Sequence, residues 1–192
     1  MQDGMSAFEK LVELGYPPNR IVILGISAGG NLALSIAREL QKEKQVLPLA
    51  VVCMSPWSDL TLSGESIITL KKRDNSLRAS YLRKAAKAYA ANMALDDPAV
   101  SPLFADYTNF CPVLIQAGSE EILLSDSVRL YDRISAAGTA AKLHVFEHQS
   151  HGFQSYSSPD SYTALAEVNK FIQDLLLIQN GKEVEKNANR NS

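Results

Sequence analysis

Cysteine, tryptophan and histidine are scarce in this chain of 192 residues, with two, one and three copies. The two cysteines, Cys53 and Cys111, sit in apolar runs and have no metal-ligand spacing, so buried free thiols in a reducing compartment are expected. No metal and no organic cofactor is implied. Apolar runs never approach the roughly 20 residues of a membrane helix. The first nine residues also lack the basic start and apolar core of a signal peptide. A cytoplasmic location without a membrane span is therefore the expectation. Neither sign of charge dominates, with 19 basic against 21 acidic side chains. That balance argues against nucleic acid as a partner. What is present, 46% hydrophobic and 21% charged residues, is the composition of one globular domain with a sizeable core.

Periodicity divides the chain into alternating elements. Met5, Phe8, Leu11, Val12 and Leu14 recur at helical spacing, and Gly15 stands where that helix should stop. Short apolar runs with β-branched content predict strands at residues 21–24, 49–54, 113–117 and 142–146. Helical patterns lie between and after them: Leu32, Ile36 and Leu40; Val128, Tyr131 and Ile134, ended by Gly138; and Tyr162, Leu165, Val168, Ile172 and Leu175. This alternation predicts an α/β fold, a mostly parallel sheet with crossover helices. One connection, residues 57–112, is far too long for a simple loop and must carry structure of its own. Within it Leu77, Tyr81, Ala85, Ala88 and Met93 predict a helical apolar stripe opposite Arg78, Arg83, Lys84 and Lys87. The segment reads as part lid over the strand ends and part crossover. Residues 182–192, charged and nearly free of apolar anchors, read as a disordered tail after a domain ending at 181.

The chemistry-bearing motif is Gly25-Ile26-Ser27-Ala28-Gly29, set between a strand pattern and a helix pattern. A serine hydroxyl becomes a useful nucleophile at a sharp strand-to-helix turn, with a base in reach and a backbone N–H behind it. Gly25 and Gly29 should supply the room for that elbow, and the N–H of Ala28 an oxyanion donor. The base must come from His144, His148 or His151. His144 falls inside a strand pattern, whereas His148 and His151 lie beyond the strand's carboxyl end, where open α/β sheets place reactive loops. His151, followed by Gly152-Phe153 in a loop that can turn the imidazole toward the elbow while the phenyl ring packs beneath it, is preferred, and His148 is the alternative. For the orienting acid, Glu121 sits just past the third strand, before the anchoring pair Ile122-Leu123. Glu120 reads as its solvent-facing neighbour, and Asp126 as a helix-opening carboxylate explained by capping and the helix dipole. The chain order Ser27, Glu121, His151 is that of an α/β-hydrolase triad.

With these residues in hand, the chain resembles the hormone-sensitive-lipase-like branch of α/β-hydrolases, which contains acetyl esterases, carboxylesterases and ε-lactone hydrolases. The resemblance spans roughly residues 5–177. It rests on the motif around Ser27, on Ser55-Pro56-Trp57-Ser58-Asp59-Leu60, on residues 97–103 and 118–127, and on His151-Gly152-Phe153. Family members with glutamate at the position of Glu121 use it as the triad acid. The residue before the nucleophile, often acidic or threonine in the family, is here Ile26. Members also carry an upstream His-Gly-Gly-Gly segment that completes the oxyanion hole, and this chain begins after the point where it should stand.

The resemblance implies the carboxyl-terminal part of an α/β-hydrolase domain that hydrolyses small carboxylic esters or lactones, impaired by the missing donor. Ile26, Trp57 and Phe153 are the expected pocket residues. The strand at 21–24 is expected at an open sheet edge, available to a second copy or to a complementing amino-terminal fragment. The rival expectation is a non-catalytic fragment that binds ligands or depends on a partner.

Overall fold

The computed structural model describes residues 1–188. In chain order these form α1 (Gln2–Glu13), β1 (Val22–Ile26), α2 (Ala28–Lys42), β2 (Ala50–Met54), α3 (Ser66–Thr69), α4 (Ala79–Ala90), β3 (Val113–Gly118), α5 (Leu124–Ala136), β4 (Ala141–Phe146) and α6 (Pro159–Ala188). The four strands make one wholly parallel sheet in the order β1-β2-β3-β4. Registers such as Gly25 opposite Cys53 and Gly118 opposite Phe146 bring the carboxyl ends of all strands to one rim.

Both faces of the sheet are covered, which is why β2 and β3 are buried at every position and read as continuous apolar runs. On one face Ala33, Leu34 and Ala37 of α2 and Leu130 and Ile134 of α5 pack on Val51, Cys53, Val113 and Ile115. On the other, Val168 of α6 packs on Val52, Met54 and Leu114. Each large side chain buried this way contributes about 1.5–3 kcal/mol. Helix α1 lies outside α2 through Phe8, Ile36 and Leu40. Gly15, at φ 94°, ends it: the N–H groups of Gly15 and Tyr16 donate to the carbonyls of Val12 and Leu11. Cys53 and Cys111 are buried free thiols, and burial pushes Cys111 up to about 12.

As expected, β1 is an edge strand, with Leu24 48% exposed. The first part of the 57–112 segment forms a second apolar cluster, in which Trp57, Leu60, Leu82, Ala86 and Ala90 meet Ile122 and Leu123, while its last part, through Leu103, Ala105, Tyr107 and Phe110, joins the main core. Trp57 follows β2 and Ile122 follows β3, so the cluster sits over the carboxyl ends of the strands. The buried stripe of α4 is Leu82, Ala86 and Ala90 rather than the expected one, and Tyr81 and Met93 are exposed. Alanine-rich helices give a weak apolar contrast between faces, and there the larger side chain Leu82 decides which face turns inward. In α6, Tyr162 and Leu165 of the expected stripe are exposed while Ala164 and Val168 are buried. That helix also runs through Ala188, past residue 181 where the tail was expected. Residues 182–188 include lysine and glutamate, good helix formers. Residues 189–192 of the expected tail lie outside the described residues. Among the described residues no helix is long and apolar enough to cross a membrane.

Candidate active site

Strand β1 delivers the chain to Ser27, and α2 begins at the next residue. Ser27 sits at φ 56° and ψ −120°, a sparsely populated conformation for a residue with a side chain. The surroundings hold it there. Its N–H donates to Met54 O at 2.9 Å, and its carbonyl accepts from the N–H groups of Gly30, Asn31 and Trp57 at 3.0, 3.3 and 3.1 Å. Gly25 is required: a Cβ there would lie 2.0 Å from Gly29 O. Gly29 is not required on this ground, because a Cβ there meets nothing within 4 Å. The second close approach is at Gly30, where a Cβ would stand 3.1 Å from Pro56 Cβ. Ala28 is the first residue of α2, so its N–H has no intrahelical acceptor.

The acid and base candidates come from the ends of β3 and β4. Glu121 is fully buried. Its Oε1 accepts the Gly118 N–H at 2.8 Å, and its Oε2 lies 2.5 Å from Nδ1 of His151. The loop carrying His151 is fastened on several sides. Glu120 N–H donates to Gln149 O at 3.0 Å, His148 N–H to Ser119 Oγ at 2.8 Å, and Gly152 N–H to Ser55 Oγ at 3.2 Å. A Cβ on Gly152 would stand 3.7 Å from Cγ2 of Ile26, so this loop passes beside the elbow. Among the described residues no hydrogen bond joins Ser27 Oγ to His151. Catalytic contacts of this kind commonly tighten only when substrate arrives.

The other candidates separate clearly. His148 has an 84% exposed side chain, 3.8 Å from Glu120 Oε1. His144 pairs with Glu167 at 3.0 Å and stacks on Phe146. Glu120, expected to face solvent, is mostly buried and ion-paired with Arg73. Trp57 lines a cavity of about 180 Å³ that begins at Ala28. Ile26 and Phe153 do not line it. Phe153 is buried against Phe146 and Ala164, beneath the histidine loop, and Ile26 packs toward the face that carries α6.

The buried polar contacts that hold the elbow and the loop after β2 were not legible in the sequence. Asn31, buried one turn beyond Ser27, donates to the carbonyls of Trp57 and Val100 at 3.0 and 2.9 Å. Asp126 does not cap its own helix. It is wholly buried, its Oδ2 accepting the N–H groups of Ser58 and Asp59 at 2.9 Å each while Oδ1 has no partner. Burial drives this carboxyl well above the ordinary range, outweighing the two N–H bonds. Asp59 goes the other way. Burial would raise it, but hydrogen bonds from Ser63, Thr61 and Arg129 prevail and leave it below its usual value. These contacts tie the loop after β2 to α5. Their partners are far apart in sequence, and the only available signal was acidic residues inside otherwise apolar stretches.

A family model described as alpha/beta hydrolase fold matches residues 1–155. The acetyl-hydrolase of Streptomyces hygroscopicus is 36% identical over 156 residues, which cover 81% of this chain and 52% of that protein. An esterase of Acinetobacter venetianus is 34% identical over 171 residues, covering 88% and 56%. Among solved structures, an esterase from the bacterial hormone-sensitive lipase family superposes with a TM-score of 0.88 at 34% identity, over 91% of this chain and 59% of that one. The chain thus spans about half the length of the curated relatives it matches.

Proposed function

The chain belongs to the α/β-hydrolase fold family, and from that premise we propose that it is a serine ester hydrolase acting on small carboxylic esters or lactones. In this reading Ser27 Oγ attacks the acyl carbon while Nε2 of His151 takes the hydroxyl proton. Glu121 holds Nδ1 and stabilises the imidazolium. The Ala28 N–H receives charge on the developing oxyanion. His151 then protonates the leaving alcohol, and water, deprotonated by the same imidazole, releases the acid and restores Ser27.

The observation that carries the reading is the buried Glu121 carboxylate set 2.5 Å from His151 on a loop passing beside the strained Ser27. The names of the relatives, acetyl-hydrolase and esterase, support the same reaction class. Ala28 is the one oxyanion donor that the described residues supply in this scheme. The decisive experiment is covalent: a fluorophosphonate should label Ser27, located by peptide mass spectrometry, and Ser27→Ala should lose both labelling and hydrolysis of p-nitrophenyl acetate. Labelling elsewhere, or activity that survives in Ser27→Ala, would remove Ser27 as the nucleophile.

A further inference from the structure

The even balance of charge over the whole chain conceals a local excess. Residues 71–87 carry seven of the 19 basic side chains and a single acid, Asp74. Asp74 is buried, and its carboxylate is occupied by the N–H groups of Ser76, Leu77 and Ile122. Arg73 pairs with Glu120, and Arg78 donates to the carbonyls of Asp74 and Leu77. The remaining five, Lys71, Lys72, Arg83, Lys84 and Lys87, are exposed. Among the described residues they form no ion pair.

Helix α4 carries three of the five and no acid at all. Arg83 and Lys87 stand one turn apart, Lys84 and Lys87 three residues apart, and like charges at those spacings repel. From Asn75 to Leu95 no acidic residue is at hand to offset them. Lysines on other helices are paired within their own helix, Lys10 with Glu13, Lys42 with Glu39 and Lys170 with Asp174. The helix dipole accounts for Lys87 in the last turn, but not for Arg83 or Lys84. Helical spacing sets Tyr81 beside Lys84, away from the buried stripe of Leu82, Ala86 and Ala90, and Tyr81 is 68% exposed. Unpaired cations beside an exposed tyrosine suit a phosphate-bearing lipid surface. Its headgroups attract lysine and arginine, and a tyrosine ring lodges at their level with its hydroxyl in water.

We infer that the outward face of α4 docks on an anionic lipid bilayer, with Arg83, Lys84 and Lys87 meeting the headgroup phosphates and Tyr81 lying among them. Because α4 belongs to the cluster over the carboxyl ends of the strands, docking holds that rim toward the lipid. Use of this approach in ester hydrolysis rests on the esterase reading. Docking does not.

Co-sedimentation with vesicles tests docking without turnover. The protein should bind phosphatidylcholine vesicles containing about one third phosphatidylglycerol at about 0.1 M salt, and leave pure phosphatidylcholine alone. Raising the salt to about 1 M, which cuts the screening length from about 10 Å to about 3 Å, should release it. Each basic side chain near such a surface strengthens binding about fivefold. Combining Arg83→Gln, Lys84→Gln and Lys87→Gln should therefore weaken it about a hundredfold. Lys10→Gln, Lys42→Gln and Lys170→Gln together change the net charge equally and should weaken it less than about threefold. Tyr81→Ser should weaken it about threefold or more at unchanged charge. Circular dichroism checks that each variant keeps its fold. No binding to the anionic vesicles, equal binding to neutral ones, equal losses in the two triple variants, or affinity unchanged by Tyr81→Ser overturns the inference. So does tighter binding of duplex DNA or polyglutamate than of the anionic vesicles at the same salt. Vesicle binding with no fluorophosphonate labelling of Ser27 would sink the esterase reading alone, and labelling without vesicle binding would sink this one alone.

Discussion

At the scale of single residues, two histidines three positions apart have opposite environments. The His151 side chain is 9% exposed against a buried carboxylate, whereas His148 is 84% exposed. His151→Ala should therefore lower kcat by about a thousandfold or more, and His148→Ala should leave it within about twofold. Single-turnover acylation of both variants distinguishes them, and equal losses would contradict the assignment. Asp126 makes a prediction about stability. Its folded pKa lies above its unfolded value, so the folded state holds this proton more tightly. Rising pH then destabilises the fold progressively, from the unfolded pKa up through the folded one. Asparagine mimics the protonated acid and cannot ionise. Urea unfolding of Asp126→Asn should show a smaller loss of stability between acid and neutral pH than the wild type. An identical pH slope would mean that the carboxyl is ordinary.

At the scale of elements, the elbow depends on what the strand-to-helix turn leaves no room for. Gly25→Ala sets a methyl group against the backbone of Gly29 and should cost about 3 kcal/mol or more. Gly29→Ala meets open space and should change stability by less than about 1 kcal/mol. Thermal denaturation of the pair checks this, and comparable losses would refute the distinction. The strands, the elbow and the helix stops at Gly15 and Gly138 were legible because each is written in contiguous residues: apolar runs, glycine, and spacing by three and four. The inward face of α4 was not. With alanine on several sides, periodicity offered alternatives of nearly equal hydrophobicity, and contact with Ile122 and Leu123 settled the choice.

At the scale of the whole molecule there are two apolar cores, one between the sheet and its helices and one beneath α4. Polar side chains join them. Asn31 reaches from α2 to the carbonyls of Trp57 and Val100. Asp74 reaches from the long insertion to the Ile122 N–H at 2.8 Å, next to Glu121. Removing such a tie strands buried acceptors at about 1–3 kcal/mol apiece. Asn31→Ala should thus destabilise the protein by about 2–4 kcal/mol and, by freeing the Trp57 loop, shift the Trp57 emission toward that of exposed indole. Unchanged stability and emission would show that the insertion is held by its apolar contacts alone.

Local residue order was enough to set the alternation of strands and helices, the place of Ser27 at a glycine-lined turn, and the narrow choice of acid and base. Those properties follow from local spacing and from the rarity of histidine. The packing of distant segments is what set His151 against Glu121 and left His148 facing water. It alone decided, too, that Asp59 and Asp126 are buried structural carboxylates. Each of those outcomes depends on which distant segments pack together, and on the desolvation and hydrogen bonding that the packing imposes. No window of neighbouring residues carries that information.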